Sequence, residues 1–213
     1  MKIAAIGKEG SRKAIAARSF SPGVEWVWVD SVDDLERHRD AVLYADLDFR
    51  PEKDRIERLG RLLPAPVLID SVVHTLAKIG RPFIRINGWP GLLERAPCEL
   101  AVSDTPAEAR VGQLFNSLGW PCRFVPDIPG MISGRILATI INEAYYTLQD
   151  RVSTRAEIDE AMRLGTGYPF GPFEWGSRIG LTSIFSLLGA LSGSDSRYIP
   201  AAAMEQELHG IKI

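Results

Sequence analysis

Cysteine is scarce in this chain of 213 residues, with only Cys98 and Cys122. Two thiols make neither a disulfide framework nor a zinc spacing. They point to a reducing, cytoplasmic compartment. No apolar run approaches the roughly 20 residues of a membrane span. The segment from Met1 to Gly7 turns polar too soon for a signal peptide. No excess of one charge exists either: 25 Lys plus Arg face 27 Asp plus Glu, for a formal net charge of −2. Nucleic acid is therefore not expected as a partner. What remains is an ordinary globular composition, 46% hydrophobic and 24% charged, with enough length for one domain or two small ones.

The first part of the chain alternates short apolar runs with amphipathic stretches. Strands are expected at 2–6, 25–29, 41–47, 66–69, 82–86, 98–102 and 121–125. Helical periodicity lies between several of them. Ser31 is placed to cap a helix over 31–39. Thr105-Pro106-Ala107-Glu108 reads as a capping box opening the next clear helix. Strand-then-helix units predict a mostly parallel sheet covered on both faces. After Asp127-Ile128-Pro129-Gly130 no further strand is evident. Long apolar stripes follow over 131–148, a second capping box at Thr154–Glu157, and a mostly apolar stretch over 172–191. The expected organisation is an α/β domain over 1–126 and an all-α domain over 127–213.

The second part also carries a series of motifs. Pro129-Gly130-Met131-Ile132-Ser133-Gly134-Arg135 leads to Asn142-Glu143-Ala144. Then come Asp159-Glu160-Ala161-Met162, Gly165-Thr166-Gly167-Tyr168-Pro169-Phe170-Gly171-Pro172-Phe173-Glu174, and Gly180-Leu181. In order and over about 55 residues, this series resembles the C-terminal domain of the 3-hydroxyacyl-CoA dehydrogenase family. The resemblance implies a Rossmann-like domain followed by an all-α dimerisation domain. Here the Rossmann part is expected in reduced form, because the stretch between Gly10 and Glu25 holds barely one helix.

The resemblance also implies chemistry: NAD-linked oxidation of a 3-hydroxyacyl-CoA. A His takes the hydroxyl proton, a Glu orients it, and Ser and Asn hold substrate oxygens. On the motif match, Asn87 answers to a family Asn and Glu99 to the Glu. Ile84 falls at the His position, Val73 at the Ser position and Gly134 at a second Asn position. Isoleucine can neither accept nor donate a proton, so His74 becomes the candidate replacement base. The cofactor loop reads Gly7-Lys8-Glu9-Gly10-Ser11-Arg12 in place of G-x-G-x-x-G. Gly7 and Gly10 are its candidate cofactor-binding residues. Asp30, about 20 residues on, is placed to bind a ribose. NAD or NADP is the implied cofactor, acyl-CoA or a small 3-hydroxy compound the implied ligand, and a second copy of the chain the implied partner.

Plainer readings stand beside these. Asp70, Ser71 and His74 lie too close in sequence for triad geometry. Asp46 and Asp48 read as a solvated loop, Glu174 as a helix cap, and Arg50, Lys53 and Arg55 as a charged helix face. Two functions follow. One is a divergent NAD(P)-linked oxidoreductase. The other is a non-catalytic relative that binds acyl-CoA or a partner and dimerises through its helical domain.

Overall fold

The computed structural model describes residues 1–211. It divides into two compact units, Met1–Met131 and Ile132–Ile213.

The first unit runs β1 (Lys2–Ile6), α1 (Glu9–Ala16), β2 (Glu25–Trp28), α2 (Val32–Leu35), β3 (Ala41–Asp46), α3 (Lys53–Gly60), β4 (Val67–Asp70), α4 (Leu76–Ile79), β5 (Ile84–Ile86), β6 (Cys98–Ala101), α5 (Thr105–Ser117) and β7 (Cys122–Phe124). Its strands form a seven-stranded sheet in the order β2-β1-β3-β4-β5-β6-β7. The pairs from β2 across to β5 are parallel, β5 and β6 are antiparallel, and β6 and β7 run parallel to each other. Alternate strand residues face opposite sides. Ile3, Leu43, Leu68, Ile84 and Leu100 pack with α1 and α5 residues such as Ile15 and Phe115. Ala4, Tyr44, Ile69 and Phe83 pack with Leu35, Leu59 and Ile79 from α2, α3 and α4. This is the expected reduced Rossmann-like sheet. Its strand order reverses between β1 and β3.

Most boundaries lie where the sequence places them, and the exceptions have physical causes. The cap of α5 is Asp104, whose carboxylate accepts the Ala107 N–H at 2.7 Å. Thr105 is already helical, so the capping box expected one residue later does not form. The segment 127–131 belongs to the first unit, past the division expected after residue 126. Two anchors hold it. The Gly130 N–H donates to the Val72 carbonyl at 2.8 Å, and Asp127 accepts from the Leu76 and Ala77 N–H groups at the start of α4.

The second unit contains α6 (Ser133–Gln149), α7 (Arg155–Thr166), α8 (Pro172–Ile179), α9 (Leu181–Ser192), a 3-10 turn at Ser196–Tyr198, and α10 (Ala202–Leu208). Helix α6 starts two residues after Met131 because Gly130 and Met131 both have positive φ, 83° and 50°, which no right-handed helix accommodates. The apolar stretch over 172–191 is two helices broken at Gly180, whose φ is 94°. Thr154 and Glu157 form the expected capping box. Ile184, Leu187, Leu188 and Leu191 of α9 are buried, so that apolar run is not a free face for a second copy. Among the described residues, no helix is long and apolar enough to cross a membrane.

Candidate functional site

In an open sheet of this kind, ligands enter the crevice outside the carboxyl ends of the strands, at the point where strand order reverses. Here that point is the gap between β1 and β3, and Gly7 and Lys8 lie at its edge. A Cβ on Gly7 would come 2.9 Å from the Trp28 ring, so glycine is required by the indole. Arg12 closes the same corner. Its Nε donates to the Gly7 carbonyl at 2.8 Å, its guanidinium lies 5.2 Å from the Trp28 ring centroid, and Nη2 is 3.6 Å from Asp30. Gly10 lies in the first turn of α1, with nothing within 4 Å of where its Cβ would be.

Across the gap, Lys8 pairs with Asp48 at 2.7 Å. Asp46, fully buried at the end of β3, takes a two-pronged contact from Arg55, 2.7 Å on each arm. Burial raises the Asp46 pKa, and Arg55 opposes that rise. Arg55 is thus committed to Asp46, and Lys53 lies 4.0 Å from Glu57. A pyrophosphate at this corner would have to displace the Lys8–Asp48 pair. It would also face Glu9 in the first turn of α1 and the indole on Gly7. The corner thus sets two acidic side chains, Asp48 and Glu9, each paired with a lysine, near where a diphosphate would sit.

The ends of β4, β5 and the start of β6 gather the other candidates. Because β6 runs antiparallel to β5, the register that pairs Ile86 with Leu100 brings Asn87 opposite Glu99. The Asn87 N–H donates to the Glu99 carbonyl at 3.3 Å, and the Asn87 Nδ2 reaches the Glu99 Oε2 at 3.5 Å. Asn87 is 2% exposed, and its Oδ1 also accepts the Trp89 N–H at 3.4 Å. Asp70 stands beside them. It accepts the Gly88 N–H at 2.9 Å and has its pKa pushed up to about 7, chiefly by burial and further by Asp46 and Asp48, with the Gly88 N–H opposing.

The structure bears on two expectations here. Ile84 is not in the position of a lost base. It opens β5 opposite Leu68 and is buried in the core, three residues and about 10 Å along the strand from Asn87. A side chain that does meet Glu99 is Asn87. His74 lies in a cationic setting. Burial lowers its pKa first, and then the cations Lys78 and Arg85 lower it further, the opposite of what a carboxylate partner does. The Ser71 hydroxyl donates to the His74 carbonyl at 2.9 Å rather than to an imidazole, so Asp70, Ser71 and His74 make no triad.

Arg85 was not singled out by sequence reasoning. It is 0% exposed. Its Nε donates to the Ser71 carbonyl at 2.9 Å and its Nη2 to the Val72 carbonyl at 3.0 Å, and Nη1 pairs with Asp127. The available signal was a charged residue between two isoleucines in a three-residue strand.

The motifs of the helical unit prove architectural. Asn142 donates to the Ile199 carbonyl at 2.8 Å and accepts the Ala201 N–H at 2.9 Å. Asp159 accepts the Phe173 and Glu174 N–H groups, at 2.8 and 3.2 Å, at the head of α8. Glu174 accepts the Gly171 N–H at 2.9 Å, which makes it the expected cap. Among the described residues, no group of three or more His, Cys, Asp or Glu side chains could hold a metal ion.

Comparison with known proteins agrees with this layout. Residues 130–208 match the family profile of the 3-hydroxyacyl-CoA dehydrogenase C-terminal domain. The chain is 34% identical over 165 residues to a 3-hydroxyadipyl-CoA dehydrogenase of Escherichia coli, covering 76% of this chain and 34% of that protein. It is 32% identical over 208 residues to an L-carnitine dehydrogenase of Burkholderia mallei, covering 87% of this chain and 61% of that one. The matches thus span only part of these relatives' lengths. The solved (S)-3-hydroxybutyryl-CoA dehydrogenase of Ralstonia eutropha shares the fold, with a TM-score of 0.75 at 18% identity over 98% of this chain and 93% of that one. What these comparisons establish is the identity of residues 130–208, a 3-hydroxyacyl-CoA dehydrogenase C-terminal domain.

Proposed function

We propose that this chain is a binding member of its family. It holds an acyl-CoA or a small 3-hydroxy compound at the β4–β5–β6 crest and does not carry out the family's proton transfer or use NAD or NADP. The observation that carries this reading is the partner of Glu99. The resemblance implies a His there, and the residue present is Asn87, whose amide neither takes nor releases a proton near neutral pH. An amide can still hold a substrate oxygen. The closed corner around Gly7, Lys8 and Asp48 argues the same way against the dinucleotide.

Calorimetric titration of the purified protein tests the reading. Acetoacetyl-CoA is expected to bind and NADH to give no saturable heat up to millimolar concentration, with Asn87→Ala weakening the acyl-CoA. Oxidation of NADH in the presence of acetoacetyl-CoA overturns it.

A specific observation favours a second reading. Asp70 adjoins Asn87 and has its pKa near 7, the range a general base needs. If the chain turns over a substrate, Asp70→Asn abolishes the activity, whereas His74→Ala leaves it intact.

The homodimer is part of the proposal. Ile132 and Ile136 are 47% and 49% exposed at the start of α6, and a second copy would cover them. Sedimentation at micromolar concentration should give twice the chain mass, and Ile136→Glu should give the single chain. A single-chain mass for the unaltered protein refutes this.

A further inference from the structure

A second recess opens at the opposite edge of the sheet from the crest. There β3, β4 and β5 begin and α5 starts. It has a volume of about 480 Å³, within the range of small-molecule sites. Val42, Val67 and Ile84 supply its wall from the strands, and Val111 and Leu114 close it from α5. Pro64, Pro66 and Pro82 also line it. Proline has no N–H, so these positions offer a ligand no backbone donor. The Ser103 hydroxyl at the edge is engaged with Asp104 at 3.0 Å. Among the described residues, Arg110 is the only charged one in the lining. Its side chain is exposed, and its charge is felt by the Asp104 carboxylate at the start of α5.

We infer that this recess is a binding site, separate from the crest, for a straight-chain monocarboxylate: a hydrocarbon tail in the apolar interior and a carboxylate at Arg110. Each part of the ligand follows from the lining. An apolar chamber with few free donors favours hydrocarbon and penalises any buried polar group that finds no partner. A single arginine at the mouth, facing the exposed Asp104, selects one negative group at the outer end. A dicarboxylate would bury its second charge without a counterion. A CoA ester would bring several phosphates to one arginine and an uncharged thioester where the carboxylate belongs.

The test is titration of the whole chain with octanoate, 1-octanol and octylamine, followed by calorimetry. Octanoate is expected to bind saturably at one site per chain, more tightly than octanol, with octylamine weakest. Arg110→Glu lies on the surface and should weaken octanoate by about tenfold while leaving octanol unchanged. Ala107→Phe places a ring in the recess and should abolish octanoate binding, with the binding of acetoacetyl-CoA at the crest unaltered. Three results overturn the inference. They are no saturable octanoate binding, binding that Ala107→Phe does not alter, and equal loss of octanoate and octanol in Arg110→Glu.

Discussion

The carboxylate of Asp70 lies flat against the Cα of Gly88. A Cβ added at Gly88 would come 2.6 Å from the carboxyl carbon, while the Gly88 N–H donates to the same group at 2.9 Å. Asp70 ends β4 and Gly88 lies two residues past the end of β5, its parallel neighbour, and each restricts the other.

Replacing Gly88 by Ala should therefore cost stability by about 1–3 kcal/mol, through overpacking against a side chain held by its own hydrogen bond. Urea unfolding measures this. The double variant Gly88→Ala/Asp70→Ala should recover most of the loss, because the clash needs both partners. A loss that persists in full in the double variant would place the cause in the backbone.

Asp70 also makes stability depend on pH. Its pKa rises from the ordinary 3.8 to about 7 on folding, so between these values the folded state holds a proton that the unfolded state has released. Stability from this group is present below the unfolded value and declines as pH climbs towards 7. Asp70→Asn should remove that decline. Its unfolding midpoint should gain on the unaltered protein as pH is raised across the window. Parallel curves for the two proteins would contradict the assignment.

Removing Arg85 should be among the most damaging single changes in the first unit. Arg85→Met leaves Asp127 and the carbonyls of Ser71 and Val72 without their buried donor, at a cost of about 3–5 kcal/mol. Arg85→Lys keeps the charge but loses the planar fork, so its denaturant midpoint should fall between the two. Equal midpoints for Lys and Met would show that geometry, not charge, carries the contact.

In the helical unit, Gly171→Ala should be worse than Asp159→Ala. The added Cβ would lie 2.4 Å from the Asp159 carboxyl, whereas removing Asp159 loses a cap on α8, about 1 kcal/mol by comparison with other caps. Thermal unfolding of the two variants gives the order directly.

Much of the fold was legible because its causes are local. Short β-rich apolar runs marked each strand, and Ser31 and Thr154 announced the starts of α2 and α7 by their side-chain chemistry. Gly180 was visible as part of a motif but not as a helix break, because the apolar pattern continues on both sides of it and only its positive φ separates α8 from α9. The site was less legible. Asn87 and Glu99 were both named, but nothing near either one says that they meet. Their contact depends on β6 running against β5, a choice made by the whole sheet. The same distance from local cause hid Arg85, whose partners lie 13, 14 and 42 positions away in the chain. Motif matching put Ile84 where the base should be, since spacing along the chain cannot tell the first residue of a short strand from the one beyond its end.

The reversal of β6 has one more consequence. A residue leaving β5 and a residue entering β6 are held face to face by the main chain, through the Asn87 N–H and the Glu99 carbonyl, whatever side chains they carry. The meeting place is therefore a property of the backbone ladder, and the reaction is a property of the two side chains. Such a socket can exchange one occupant for another without any rebuilding of the protein around it.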